Sequence, residues 1–93
     1  DMANVDKSWL KHKIEFRESE EPFFDPYRKL WKDILHSKSE SRFILLGQTR
    51  MERILFIAFI IREQKVRIIS ARPAHKKERI MYAIAKAQKI NSA

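Results

Sequence analysis

The sequence predicts an α+β domain: two short N-terminal helices, an antiparallel sheet of three to four strands, and a C-terminal amphipathic helix packed on the sheet, one helical layer against one sheet. Three observations predict it. Arg42 to Thr49 is rich in Ile and Leu, and Arg53 to Arg62 is nearly all apolar, the composition of a central strand covered on both faces. Lys65 to Ala71 follows after only Glu63-Gln64, so it reads as the returning strand of a hairpin. Lys76 to Gln88 carries apolar residues at helical spacing.

Each element has its own warrant. Asn4 to His12 reads as a helix because Val5 and Trp9 fall on one face with Leu10 beside them. A second helix begins near Glu15, with Phe16, Ser19 and Phe23 on one side. Pro22, which lacks an amide donor and clashes with the preceding turn, ends or kinks it. Asp25-Pro26 is a turn. Tyr27 to Leu35 fits either an alternating strand or a short amphipathic helix. Gly47-Gln48-Thr49 ends the strand that starts at Arg42. The Glu63-Gln64 joint lacks Gly and Asn, so its hairpin follows from shortness and not from turn chemistry. Alternation along Lys65 to Arg72 puts Arg67 with Ile69 and Ala71 on one face, and Arg72 with Val66, Ile68 and Ser70 on the other. Pro73 closes that strand. In the last helix Ile80, Met81, Ile84 and Ala87 form the apolar stripe, while Arg79, Tyr82, Lys86 and Lys89 line another side.

Residues 1–93 make one domain, too short for two cores, and 44% hydrophobic residues suffice to build one. There is no cysteine, so packing must hold the fold, which suits a reducing cytoplasm. The longest apolar run, Ile54 to Ile61, is far short of the roughly 20 residues of a membrane span. The charged, polar start does not resemble a signal peptide, and we expect a cytoplasmic protein. Charge is the first functional clue. The chain carries +8, and the excess is uneven: residues 1–61 hold 11 basic and 10 acidic side chains, residues 62–93 hold 9 and 2. A basic region on a small domain attracts polyanions, namely nucleic acid, an anionic membrane surface or an acidic partner; its bland alternative is a merely solubilising surface.

The basic residues concentrate where the last strand meets the last helix. Arg72 ends the strand, within reach of the mouth of any site the helix covers, though a snorkelling edge arginine would look the same. Lys76 and Lys77 open the helix, where cations oppose the dipole at a cost of a few tenths of a kcal/mol each. Free amides there favour a bound phosphate. The plain alternative is a charged face with Glu78 compensating the dipole. His12 sits between Lys11 and Lys13, cations that favour its neutral, base-competent form. His36 leads into the strand at Arg42, and His75 begins the last helix. No two histidines have metal-ligand spacing with a nearby carboxylate, so no metal site and no cofactor is expected.

Three stretches together resemble the BrnT family of ribonuclease toxins: Asp6-Lys7-Ser8-Trp9-Leu10-Lys11-His12; His36-Ser37 through Glu40-Ser41-Arg42 to Leu46-Gly47-Gln48-Thr49; and Arg67-Ile68-Ile69-Ser70-Ala71-Arg72 with Lys77-Glu78-Arg79 and Tyr82. The third is the most characteristic. The resemblance implies a RelE-like fold, RNA cleavage without a metal, and a cognate ribbon-helix-helix antitoxin that silences the toxin and carries it to operator DNA. The sequence departs from the pattern at Pro22, at Glu52 (where glycine commonly precedes the strand's arginine) and at Ile61 (where a small residue is common). It also opens at Asp1, without the short strand ending in Trp-Asp with which members usually begin, so a sheet edge is expected to stand open.

Cleavage of this kind uses the RNA's own 2′-hydroxyl as nucleophile. It needs a base, cations for the phosphate and an acid for the leaving oxygen, and it spares DNA. The expected catalytic set is His12 as base or acid with Glu40 as the other, Arg72 and Arg79 on the phosphate, and Tyr82 as a hydrogen-bond donor or stacking ring. Lys11, Arg42, Lys76 and Lys77 are the expected RNA-binding cations. The alternative is a non-catalytic basic module that binds nucleic acid or protein. A membrane-surface role is disfavoured by the polar, alanine-rich last helix.

Overall fold

The computed structural model describes residues 14–92. Among them the chain forms helix α1 (Phe16–Glu20), a 3-10 turn (Glu21–Phe24), strand β1 (Lys29–Lys32), a second 3-10 turn (Ile34–His36), strands β2 (Arg42–Gln48), β3 (Ile54–Arg62) and β4 (Lys65–Pro73), and helix α2 (Lys76–Asn91). The α+β class therefore stands. The helix expected over Asn4 to His12, and the question of an initial strand, lie outside the described residues. Pro22 sits at the start of the 3-10 turn, where its missing amide costs nothing, and α1 stops just before it. The ambiguous segment resolves into β1, which alternates between half-buried and exposed residues, followed by the 3-10 turn.

All strands are antiparallel neighbours in the order β1-β2-β3-β4. The β3–β4 hairpin closes through Glu63 and Gln64 alone, both at positive φ (53° and 65°). That is the left-handed pair a two-residue turn demands, adopted here without the glycine or asparagine that usually supplies it.

The sheet is covered on both faces, by different ends of the chain. On one face Ile14, Leu45, Leu55, Ile57, Phe59 and Ala71 form a core with Phe23, Phe43 and Ile68 against it. The rings of Phe23 and Phe59 meet edge-to-face at 5.2 Å. Gly47 lets the turn approach, since a Cβ there would stand 2.6 Å from Pro22 Cβ and 2.8 Å from its carbonyl oxygen. On the other face Leu46, Ala74 and Tyr82 pack with Tyr27, Trp31, Ile54 and Phe56. Two helical coverings on opposite faces replace the single helical layer expected.

The last helix also turns a different side to the sheet. Tyr82 is its buried residue, and the stripe of Ile80, Met81, Ile84 and Ala87 faces solvent. The reason is a polar anchor. Buried Asp25 accepts hydrogen bonds from the Tyr82 hydroxyl, the Gln48 amide (2.8 Å) and the Tyr27 amide (2.9 Å). One carboxylate thereby ties the turn, the end of β2 and α2 together. Burial, and then the Asp25 contact, push the Tyr82 phenol well above its ordinary pKa, so it remains a neutral donor.

Candidate active site

The face that carries α2 is covered only at one end. Across the rest of it, alternation on β3 places Phe56, Ala58 and Ile60 side by side, and their β4 partners are Arg72, Ser70 and Arg67. The two arginines thus share a face, although simple alternation set them on opposite ones. The cause is a β-bulge: the register shifts between Ala58 and Phe59, which pair with Ser70 and Ile68, and Ile69 is the extra residue. From β2 the same row receives Arg42, paired with Ile60, and Leu46, paired with Phe56.

Two groups of functional side chains mark the ends of this face. At the α2 end, Arg72 lies over the Phe56 ring at 4.0 Å and makes two 2.8 Å bonds to the Glu78 carboxylate. These bonds hold the Glu78 carboxyl below the ordinary carboxylate range, and the His75 amide, donating at 2.7 Å, adds to the effect. Glu78 thus occupies the helix N-terminus that the sequence offered to a phosphate. Arg79 donates to the Ala74 carbonyl at 2.8 Å and is exposed, as are Lys76 and Lys77 in the first turn. Tyr82, expected near the substrate, is instead the buried anchor described above, with its hydroxyl committed to Asp25.

At the other end lies a shallow pocket of about 310 Å³ lined by Leu35, His36, Lys38, Ser39, Glu40, Arg42, Ile60 and Ile69. Ser37 shapes its loop, donating to the Asp33 carbonyl at 2.6 Å and accepting from the Arg42 amide at 2.9 Å. His36 Nδ1 stands 2.8 Å from Asp33 Oδ2. With the proton on Nδ1 facing the carboxylate, Nε2 is left as an acceptor, the arrangement of a general base. Glu40 is paired with Arg62 through bonds of 2.8 and 3.2 Å. Those bonds hold its carboxyl below the ordinary range, and the charge of Arg67 adds to them. Arg42 Nε is buried without a hydrogen-bond partner, 3.9 Å from Asp33 Oδ2.

The two ends are about 13 Å apart, four residues of strand at about 3.3 Å each. Among the expected site residues, Glu40 and Arg42 come together at the pocket, and Arg72, Arg79, Lys76 and Lys77 gather at the helix start. His12 and Lys11 lie outside the described residues. His36, Asp33, Arg62 and Arg67 join the site without having been singled out for it. The Asp33–His36 spacing of three residues was the available signal. Among the described residues no three His, Asp or Glu side chains stand together as a metal-ligand set.

A second pocket of about 380 Å³, near the end of β2, has Glu21, Asp25, Arg50 and Lys86 in its lining. Its acids already serve the fold, Glu21 through the Arg50 amide and Asp25 through Tyr82.

The sequence matches the family of the ribonuclease toxin BrnT, of type II toxin–antitoxin systems, over residues 1–78. The chain belongs to the BrnT family. No curated protein gives a significant match. The BrnT match takes in the whole sheet, the His36 loop and the first residues of α2, up to Glu78; Arg79 and Tyr82 lie beyond it. As a BrnT member the chain is a ribonuclease toxin with an antitoxin partner. The glycine common before the strand's arginine is Glu52 here, at φ 63°, so this position requires the left-handed backbone that glycine adopts freely. Among the described residues no helix is long and apolar enough to cross a membrane.

Proposed function

We propose that the chain is a metal-independent endoribonuclease that inhibits translation by cutting RNA on the arginine-lined face of its sheet. The observation that carries this reading is the Asp33-held His36 beside Arg42, with the Glu40–Arg62 pair and Arg67 at the same end of the face. His36 Nε2 takes the proton of the 2′-hydroxyl as that oxygen attacks phosphorus. Arg42 and Arg67 bond the phosphate oxygens as negative charge grows on them, and Glu40 fixes Arg62 in the same array. Glu40 is here a positioning residue, because a carboxylate held ionised by arginine is a weak base. His12 serves as the acid for the leaving 5′-oxygen in its protonated form, which the charge of the bound phosphate favours against the neighbouring lysines, with Lys11 as a further cation. Arg72, Arg79, Lys76 and Lys77 hold the RNA strand where it continues past the scissile phosphate.

In this reading the antitoxin is of the ribbon-helix-helix type and supplies the only link to operator DNA. Both proteins are cytoplasmic. Purified chain should cleave a mixed RNA in the presence of EDTA and leave DNA of the same sequence intact. Activity lost in EDTA and restored by magnesium would overturn metal independence. Binding of RNA without any cleavage, with or without metal, would favour the non-catalytic module.

A further inference from the structure

We infer that the outward face of α2 is the docking surface for the antitoxin, and that the docking segment is an amphipathic helix with acidic flanks. The inference rests on the toxin–antitoxin reading and adds to it the place and chemistry of contact. Ile80, Met81, Ile84 and Ile90 are 38–54% exposed, and Ala83 and Ala87 are exposed beside them. At 100° per residue, Ile80, Ile84 and Ala87 lie opposite Tyr82, the residue that fixes α2 to the sheet. The helix therefore has two apolar sides, and only one is packed. A continuous exposed stripe of this kind, on the order of a few hundred Å², marks an interaction surface on a small protein. Spacings of i, i+3, i+4 and i+7 are those by which one helix reads another.

Charge decides the occupant. Lys76 and Lys77 stand one turn before Ile80 and Met81 and border the stripe, and both are exposed. The free chain carries +8, most of it beyond Ile61, so a second copy brings like charge to the same surface. An acidic helix meets both the apolar stripe and the two lysines. Docked there, it also takes up two of the cations assigned to RNA, so binding and silencing coincide.

The test uses the full chain co-expressed with the product of the reading frame beside its gene. Three forms are compared: wild type, Ile80→Glu with Ile84→Glu, and Ile80→Val with Ile84→Val. Circular dichroism establishes that each is folded, which exposure of both positions favours. The glutamate form should bind the antitoxin about a hundredfold more weakly, keep its RNA cleavage and escape neutralisation. The valine form should bind like wild type. Unchanged affinity in the folded glutamate form overturns the docking site while leaving the toxin–antitoxin reading intact. Failure of wild type to bind the neighbouring product overturns that reading and the docking site with it. A self-dimer in sedimentation that the glutamate pair abolishes would assign the stripe to a second copy instead.

Discussion

His36 illustrates how little of a site one residue type reveals. A histidine in a polar stretch is ordinarily a surface residue, and this one is 62% exposed. What distinguishes it is Asp33 at 2.8 Å from Nδ1, a contact that favours the proton on that nitrogen, in a residue that lines the Glu40–Arg42 pocket. Replacing His36 by Ala should lower RNA cleavage by about 10²–10⁴-fold, the usual worth of a general base. Asp33→Asn should cause a smaller loss, since the ring remains but its orientation is no longer set by charge. Full activity in a folded His36→Ala protein would remove it from the mechanism. Arg79→Ala and Arg72→Ala should each reduce growth inhibition when expressed without antitoxin. Arg79 has one backbone bond to lose, so its circular dichroism should be unchanged. Arg72 also holds Glu78, and its loss should lower the melting temperature slightly as well. Wild-type toxicity in both folded variants would make these arginines surface charges.

Tyr82 titrates on the alkaline side. Its folded pKa is raised above the ordinary value of 10.0, so its contribution to stability is complete below that pH and is lost as pH rises through the folded value. Glu78 acts in the opposite window. Its folded pKa is lowered, so its contribution is present above the ordinary 4.5 and is lost as the pH falls through the folded value. Thermal melts across both windows should show declines at each end. Tyr82→Phe should remove the alkaline one that starts near pH 10. An unaltered alkaline decline in that variant would contradict the buried hydroxyl.

Elements were more legible than the way they meet. Strands β2, β3 and β4 follow from their apolar runs, and Pro22 and Pro73 fall where α1 and β4 end. The faces were harder, because two signals are invisible to a periodicity count. One is the single inserted residue at Ile69, which carries Arg67 to the side of Arg72. The other is Asp25, whose buried bond to Tyr82 selects a packed side of α2 that hydrophobicity alone did not select. Turn chemistry was read correctly as unusual at Glu63-Gln64, and the positive φ values give it a cost. Glu52→Gly and Gln64→Gly remove left-handed strain from a side chain that gains little there, each worth about 1 kcal/mol net. In a domain of this size that should raise the melting temperature by about 4–8 °C per site. A decrease at either site would mean that the side chain, and not the backbone, governs the turn.

At the scale of the whole molecule the sheet divides the labour. One face, under α1 and the Phe23 turn, is apolar core; the other is partly covered by α2 and otherwise carries arginines from β2, β3 and β4. The charge asymmetry of the sequence anticipates this, since the basic final third supplies β4 and α2. Arg42, Glu40 and His36 reach the same face from the more neutral part, which no composition count could foresee. The most direct measurement is backbone amide shift mapping of the labelled chain with a short RNA whose 2′-hydroxyl at the cleaved position is replaced by hydrogen. Shifts are expected at His36, Glu40, Arg42, Arg67, Ser70 and Arg72, with residues 16–24 on the opposite face unmoved. Shifts confined to residues 16–24, with His36, Arg67 and Arg72 unmoved, would contradict it.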